Sequence, residues 1–223
     1  MPDASFLDTG VVLGFCFRDD AHYHRCRRYL DDHDFRLFVS DHVVSEYLHR
    51  EPTLAEEIAD GIFNHIDRLR DSEFEGQLDS MDTSQIRQHL IAGHNAASTT
   101  LHAFYRDEVP NYIQVDALIQ RLRDLARDIE GNAIENRETL MEEVEIWERD
   151  EEYSTIDDEL SAIPWDDRRI CLDAHDVVVV TGLPTELATT NPTDLVGDGY
   201  RELILDATSI EDVVSLASRS LSR

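Results

Sequence analysis

The first pattern along the chain is an apolar run over residues 6–13 that is interrupted by Asp8-Thr9-Gly10. A short apolar run bounded by turn residues predicts a buried β-strand, which here ends at Asp8. Ligands bind at the carboxyl edge of parallel sheets, and a buried charge without a partner is costly, so Asp8 is a candidate site residue. The alternative is that Asp8 caps a helix that comes after the strand.

An amphipathic segment over residues 21–32 predicts the first helix, with apolar and basic residues on opposite faces. The apolar face contains Tyr23, Cys26, Tyr29 and Leu30, and the basic face contains His22, His24, Arg25, Arg27 and Arg28. A basic helix face is usually solvated, and the alternative is that it contacts the phosphates of a nucleic acid.

Residues 36–40 predict a second strand, followed by a helix that Ser40 or Asp41 can cap. The apolar side of this helix is formed by Val43, Val44, Tyr47 and Leu48. Glu46 lies among them, so we expect its carboxylate to be partly buried. It would lie near the end of the preceding strand and therefore near Asp8, on the adjacent parallel strand.

The long middle of the chain predicts a helical insertion over about residues 54–160, because turn residues are few there. Core positions at helical spacing are Leu118, Leu122, Leu125 and Ile129. Residues 141–152 are charged enough to predict a long exposed helix or a helical hairpin. The insertion carries more apolar stripes than a thin cover over one sheet face can bury. Its helices are therefore expected either to pack as a sub-bundle or to form a dimer interface, and a homodimer is the favoured alternative.

An α/β pattern resumes in the last third of the chain. The predicted elements are a helix from Asp166-Asp167 to Gly182, a strand over residues 186–190, a polar turn over residues 191–194, a strand over residues 202–206 and a helix from Ser209. The fold class is therefore α/β, a three-layer α/β/α arrangement with a mainly parallel sheet. Its core is expected over residues 4–52 and 164–217 of a single domain.

Charge changes the expected environment of the protein. The 223 residues include 48 acidic and 20 basic ones, for a formal charge of −28, and every basic residue is Arg. A strongly acidic, Lys-free chain with a normal apolar fraction suggests a halophilic protein. At molar salt the screening length falls to about 3 Å, so this charge does not exclude an RNA partner. Three cysteines without CxxC spacing and the absence of a long apolar segment predict a cytoplasmic protein.

Acidic and amide side chains end several predicted elements. They are Asp8, Glu46, Asp173, Asn191 and Asp194. Strand ends share one edge of a parallel sheet, and carboxylates without Lys or Arg partners raise one another's pKa values. Hard divalent cations relieve that repulsion, and oxygen ligands suit Mg²⁺ or Mn²⁺, ions that serve phosphoryl transfer.

These motifs together resemble the PIN-domain ribonucleases, similar to the VapC-type toxins and their stand-alone archaeal relatives. The matching segments are Phe6-Leu7-Asp8-Thr9-Gly10, Val44-Ser45-Glu46, Asp173-Ala174-His175 and Thr189-Thr190-Asn191-Pro192-Thr193-Asp194-Leu195. The spacing from Asp173 to Asn191 resembles that of the family's last two motifs. The distance from Glu46 to Asp173 is much longer than in compact members.

The resemblance implies a metal-dependent endoribonuclease with Mg²⁺ or Mn²⁺ as cofactor and RNA as substrate. It implies that Asp8, Glu46 and Asp173 are the core metal-binding acids and that Asp194 or Asn191 is the fourth ligand. Thr9 matches the small hydroxyl residue after the first Asp. A partner antitoxin is also implied, and Arg25, Arg27 and Arg28 are the candidate RNA contacts.

Two other functions compete with this one. One is a catalytically weak RNA-binding or assembly subunit whose helical insertion contacts a partner protein. The other is a phosphotransferase with Asp8 as nucleophile, which the sequence disfavours because the second Asp that such a loop needs is replaced by Gly10 or Val11.

Overall fold

The computed structural model describes residues 2–17, 22–31, 35–91, 93, 95–197 and 199–217. Its strands are β1 (Ala4–Leu7), β2 (Arg36–Ser40), β3 (Gln77–Leu78), β4 (Ile113–Gln114), β5 (Val144–Trp147), β6 (Thr185–Thr189) and β7 (Asp212–Ser215). Its helices are α1 (Thr9–Cys16), α2 (Tyr23–Asp31), α3 (Asp41–Arg70), α4 (Ser80–His89), α5 (Ala96–Asp107), α6 (Val115–Glu143), α7 (Ser154–Glu159), α8 (Trp165–Thr181), α9 (Pro192–Leu195) and α10 (Tyr200–Ala207).

Five strands form a central sheet in the order β5-β2-β1-β6-β7, and every neighbouring pair is parallel. The predicted α/β class and parallel sheet are confirmed, and the many helices are compatible with three layers. Because all strands run the same way, their carboxyl ends lie at one edge. β1 is central and completely buried, so its last residue delivers the chain to the middle of that edge.

The N-terminal apolar run forms the predicted strand and, after it, the helix that the alternative interpretation of Asp8 predicted. β1 ends at Leu7, and Asp8 caps α1 by accepting a hydrogen bond from the Val11 N–H at 2.7 Å. The first helix is therefore α1, with α2 second. Seven of the eight residues of α1 are buried. A helix covered on nearly all sides has no amphipathic pattern, which is why its sequence shows no helical period.

α3 is a 30-residue helix that connects the sheet edge to the helical part of the molecule. Ser40 caps it, as predicted, and its buried residues include Ile58, Ile62 and Ile66. This stripe packs against α6, where Leu118, Leu122 and Ile129 are buried at the predicted helical spacing. An ion pair of 2.8 Å between Arg137 and the buried Glu51 also joins the two helices.

Residues 141–152 do not form the predicted exposed helix or hairpin. α6 ends at Glu143, and Val144–Trp147 is β5, an edge strand that pairs in parallel with β2. Val144 and Ile146 lie on the same face of β5, and only Val144 is buried, so this face is covered at the start of the strand and open at its end. The predicted helical insertion thus contains one strand of the central sheet.

The two predictions for the C-terminal segment are wrong in element type. Residues 202–206 lie in helix α10, where Ile204 is fully buried, and the valines at 213 and 214 lie in strand β7. β7 pairs with β6, with Leu187 opposite Val213. Consecutive β-branched residues favour a strand over a helix once a neighbouring strand is available.

None of the helices described in the structure combines the length and apolar character needed to cross a membrane. Cys16, Cys26 and Cys171 are buried, and none of the three is part of a disulfide.

Candidate functional site

A pocket lies at the carboxyl edge of the sheet, where β1 meets the N-terminal ends of α3 and α8. It is lined by Asp8, Thr9, Gly10, Glu46, Arg50, Asp166, Asp167, Ile170, Thr190 and Asn191. The pocket therefore contains four carboxylates and one guanidinium. Parallel topology accounts for this convergence, because a helix between parallel strands runs antiparallel to them and begins at their carboxyl edge.

Asp8 lies at the floor of the pocket and is 4% exposed. Its carboxylate accepts hydrogen bonds from the Val11 N–H and from the Thr189 hydroxyl. Burial raises the pKa of Asp8 to about 6, and the negative charge of Asp167 adds to the increase, while its hydrogen bonds oppose it. The hydrogen bonds that the Asp8 carboxylate accepts therefore do not compensate for the hydration that its ionised form loses on burial.

Gly10 is required by the close packing around Asp8. A Cβ atom at this position would collide with the Thr190 hydroxyl oxygen and would lie 3.3 Å from Asp8 Oδ1. The glycine in the first motif therefore lets the loop after β6 approach the start of α1.

Asp167 lies in the first turn of α8 and is half-buried. Burial raises its pKa to about 6, and the charges of Asp194, Glu46 and Asp166 raise it further, in that order. Asp194 does not line the pocket, but it is close enough to act on the ionisation of Asp167. Together with Asp8, whose pKa is raised by the charge of Asp167, four acidic groups therefore interact with Asp167.

Glu46 is oriented by its neighbours on α1 and α3. The Thr9 hydroxyl donates to its Oε2 at 2.5 Å, and Arg50, one turn further along α3, forms an ion pair with its Oε1 at 3.3 Å. The expectation of a carboxylate cluster without a basic partner is therefore corrected, because Arg50 lines the same pocket.

The polar turn predicted over residues 191–194 is the start of the short helix α9. Asn191 caps it and accepts a hydrogen bond from the Asp194 N–H, while the Asn191 side-chain amide donates to the Asp194 carboxylate at 2.6 Å. Asn191 lines the pocket, and Asp194 is held beside it by this reciprocal pair.

Asp173 is the predicted site residue that the structure does not bring to the pocket. It lies six residues after Asp167 on α8, about 9 Å further along the helix axis. Its carboxylate is 7% exposed and accepts from Arg149 Nε at 2.8 Å. Asp173 is therefore the acidic half of a buried ion pair that ties the segment after β5 to α8.

The polar side chains after Asp173 also have partners on other elements. Asp176 accepts hydrogen bonds from Trp147 Nε1 at 2.8 Å and from the Tyr153 hydroxyl at 2.7 Å. His175 Nδ1 accepts from the Ser209 N–H at 2.9 Å. The Asp173-Ala174-His175 motif on which part of the family resemblance rests is thus occupied in tertiary packing.

The three arginines predicted as RNA contacts lie on α2, and they are not among the residues that line the pocket. Arg25 donates to the backbone carbonyls of Leu216 and Ala217. Arg27 pairs with Asp31 at 3.4 Å and lies 5.1 Å above the Phe15 ring centroid. Arg28 is exposed. Two of the three guanidinium groups therefore have partners within the protein.

The donor set of the pocket meets part of what Mg²⁺ or Mn²⁺ requires. Within the described part of the chain, no three His, Cys, Asp or Glu side chains are placed so that they hold a metal ion together. Asp8, Glu46 and Asp194 are each turned toward a protein donor. The possible metal ligands in the pocket are nevertheless oxygen atoms, which suit a hard cation. The carboxylates of Asp8 and Asp167 also have raised pKa values, which a nearby positive charge would lower.

Sequence reasoning missed Asp167, Asp166 and Arg50. Asp166-Asp167 predicted only the start of a helix. That location is itself the indication that the two residues belong to the site. The helix between two parallel strands begins at the carboxyl edge, so the acids of its first turn lie nearer to Asp8 than Asp173 does. Arg50 comes one helical turn after Glu46 and is recognisable as its neighbour on the same face.

Comparisons of the chain with protein-family models, with curated proteins and with solved structures find no match.

Proposed function

We propose that the pocket is the active site of a PIN-like endoribonuclease that depends on Mg²⁺ or Mn²⁺. The observation that carries this proposal is that Asp8, Glu46 and Asp167 line one pocket at the carboxyl edge of a parallel sheet, with Asp194 held next to the pocket residue Asn191. Like charges are gathered there at a cost to stability, and a site for a cation and a phosphate accounts for that cost.

Each residue has a specific role in the proposal. Asp8, Glu46 and Asp167 would hold the cation together with Asn191, which lines the pocket, or with Asp194 beside it, and Asp167 would take the place that the resemblance assigned to Asp173. When bound, a divalent cation would neutralise these carboxylates and lower the pKa of a water for attack on phosphorus. Thr189 orients Asp8 and Thr9 orients Glu46, while Arg50 can bind a phosphate oxygen of the substrate. An antitoxin partner and a homodimer stay predictions.

One observation favours the alternative of a catalytically weak RNA-binding subunit. The acidic side chains are engaged by protein donors, and Glu46 pairs with Arg50. In the favoured function Glu46, whose side chain is 30% exposed, would have to leave Arg50 in order to hold a cation. Metal-dependent cleavage of a generic single-stranded RNA distinguishes the two functions, because only the enzyme turns over.

Asp167→Asn is the variant that tests the proposal. We expect it to lower the rate of RNA cleavage in Mg²⁺ or Mn²⁺ by on the order of 100-fold or more, since it removes a metal-binding charge with little change in shape. The matched control is Asp116→Asn, which removes an exposed acid from the first turn of α6. Both variants are assayed in molar KCl beside the wild type. Equal rates in Asp167→Asn and the wild type would refute the assignment.

A further inference from the structure

A groove between α4 and α5 carries positive charge on the surface of an acidic protein. It is an open cavity of about 580 Å³, here called the basic groove, and it is lined by Arg87, Gln88, Ile91, Gly93, His102 and Arg106. None of these described lining residues is acidic, although 48 of the 223 residues of the chain are acidic and 20 are basic. Cationic side chains gathered against the overall charge of the protein suggest a site for an anion.

Arg87 forms the α4 side of the basic groove. It lies in the last turn of α4 and is partly buried. Within the described part of the chain, its guanidinium has neither an ion pair nor a hydrogen bond with another residue. A guanidinium that has lost part of its hydration without gaining a protein acceptor keeps its N–H donors for a ligand. Arg87 is therefore available to an anion in the groove.

His102 and Arg106 form the α5 side of the basic groove. They lie one helical turn apart, so both side chains project from the same face of α5. Arg106 Nε and Nη2 each donate to the Asp107 carboxylate at 2.7 Å, which fixes the plane of the guanidinium. Asp107 neutralises part of the Arg106 charge, and both α5 side chains line the same cavity as Arg87.

The positive charge extends beyond the basic groove. A smaller cavity of about 100 Å³ contains His65, Arg68 and Leu90, and Leu90 directly precedes the groove residue Ile91. Arg68 donates to the Leu90 carbonyl at 3.4 Å. Burial lowers the pKa of His65 to about 4, the Leu90 carbonyl opposes this decrease, and the positive charges of Arg68 and His102 add to it. The cations around the groove therefore create a positive potential that acts on a neighbouring group.

We infer that the basic groove binds the phosphate group of a small phosphate monoester through Arg87, His102 and Arg106. Guanidinium groups present paired N–H donors that match the geometry of phosphate oxygens, and charge strengthens these hydrogen bonds. Gln88 contributes a polar side chain to the groove, and Ile91 contributes an apolar surface for the organic part of the ligand.

The basic groove and the acidic pocket are separate sites. The described residues that line one do not line the other. Glu46 of the acidic pocket lies near the start of α3, and Arg68 lies near the other end of the same helix, about 33 Å further along its axis. The inference therefore does not rest on the proposed nuclease, and the two sites do not share a ligand.

The charge of the protein favours a compact anion over a nucleic acid strand in the basic groove. A chain with a formal charge of −28 repels polyanions. A small phosphate can lie entirely within the groove, whereas a strand would continue beyond it over a protein whose net charge is negative. Small size therefore lets the ligand use the local cations without meeting the repulsion.

Isothermal titration calorimetry tests this inference with AMP, inorganic phosphate, adenosine and a short RNA that lacks terminal phosphates. EDTA is present, so that no divalent cation carries phosphate into the acidic pocket. The KCl concentration is the lowest at which circular dichroism shows a folded protein. The variants are Arg87→Gln, Arg50→Gln in the acidic pocket and, as the matched control, Arg127→Gln, which removes an exposed guanidinium that pairs with Asp124 on α6.

We expect AMP and inorganic phosphate to bind to the wild type and adenosine to produce no binding signal. Arg87→Gln should weaken the binding of AMP and of phosphate by roughly 10- to 150-fold, which corresponds to the loss of one hydrogen bond to a charged group. Arg127→Gln and Arg50→Gln should bind both ligands like the wild type.

Three results would overturn the inference. One is that the folded wild type binds neither AMP nor phosphate. Another is AMP binding that Arg50→Gln removes and Arg87→Gln leaves unchanged, which would place the phosphate in the acidic pocket. The third is RNA binding that Arg87→Gln removes while AMP does not bind, because the groove would then hold a nucleic acid strand. None of these results bears on metal-dependent cleavage, which Asp167→Asn tests separately.

Discussion

Each half of α8 carries an aspartate, and the two aspartates have opposite electrostatic surroundings. At the N-terminal end Asp167 lies among Asp8, Glu46 and Asp194, and its pKa is raised by burial and by neighbouring acidic charges. Two turns later Asp173 is more deeply buried, yet it is paired with Arg149 at 2.8 Å. Burial alone therefore does not distinguish a site carboxylate from a structural one on this helix.

The charges next to each carboxylate distinguish the two roles. The acids at the N-terminal end repel one another, which lowers the stability of the protein. The acids in the middle of α8 connect β5 and the segment after it to the helix. A carboxylate that lies among other carboxylates suggests a binding role. A carboxylate that is paired with a buried basic side chain suggests a structural role.

The largest effect on stability is expected from breaking the structural pair. Asp173→Asn should lower the free energy of unfolding by about 3 kcal/mol, because the Arg149 charge stays partly buried without its counter-charge. Denaturant unfolding measures the change. RNA cleavage by the folded variant should stay near that of the wild type.

A second variant tests the cause of that loss. Adding Arg149→Met to Asp173→Asn should recover part of the lost stability, since it removes the uncompensated charge. A stable Asp173→Asn protein without nuclease activity would reverse the comparison and restore Asp173 to the site.

Asp8→Asn should change stability in the opposite direction and raise the free energy of unfolding. The folded-state pKa of about 6 lies above the ordinary value of 3.8, so ionisation of Asp8 destabilises the fold above pH 6 and this penalty disappears as the pH falls toward 4. The variant should be more stable than the wild type by about 1–3 kcal/mol at pH 8 in EDTA, and the difference should vanish near pH 4. A variant less stable than the wild type at pH 8 would show that the charge is well compensated.

His65 provides a titration of opposite sign outside the pocket. It is buried and hydrogen-bonded to the Tyr105 hydroxyl at 2.9 Å, and burial lowers its pKa to about 4. A lowered histidine pKa contributes stability above pH 6.5 that is lost as the pH falls toward 4, by roughly 3 kcal/mol in total.

The measurement is the change in unfolding free energy between pH 7 and pH 4.5. His65→Gln should lose less stability on acidification than the wild type, while the exposed His89→Gln should behave like the wild type. Identical pH profiles for all three proteins would exclude His65 as the titrating group and would simplify the interpretation of Asp8→Asn.

The smallest effect concerns salt. The half-buried Asp167 is open to screening, so Asp167→Asn should stabilise the protein by less than about 1 kcal/mol at low ionic strength and by almost nothing in molar KCl. The cost of Asp173→Asn should change little over the same range, because that pair is shielded from solvent. Equal salt dependence for the two variants would mean that the two halves of α8 do not differ electrostatically.

Local sequence patterns predicted several elements correctly. β2 begins and ends where expected, Ser40 caps α3, and α8 ends at Gly182, which has the positive φ of a helix C-terminus. The helix α1, predicted only as an alternative, and the missed strands β5 and β7 depend on neighbours distant in sequence. Each of the three has a short pattern of apolar residues that fits more than one structure until the sheet is assembled.

The candidate site divides in the same way. The sequence by itself determined that Asp8 comes directly after a buried strand, that Glu46 lies near a helix start and that Asn191 and Asp194 come after a second strand, because strand ends and helix caps have local signatures. Only the tertiary structure decided which of the two acids, Asp167 or Asp173, lines the pocket. Both acids lie on α8, and the choice depends on which turn of the helix reaches the sheet edge and on where Arg149 is placed by β5. Such a contact joins residues from separate elements, so no local pattern along the chain encodes it.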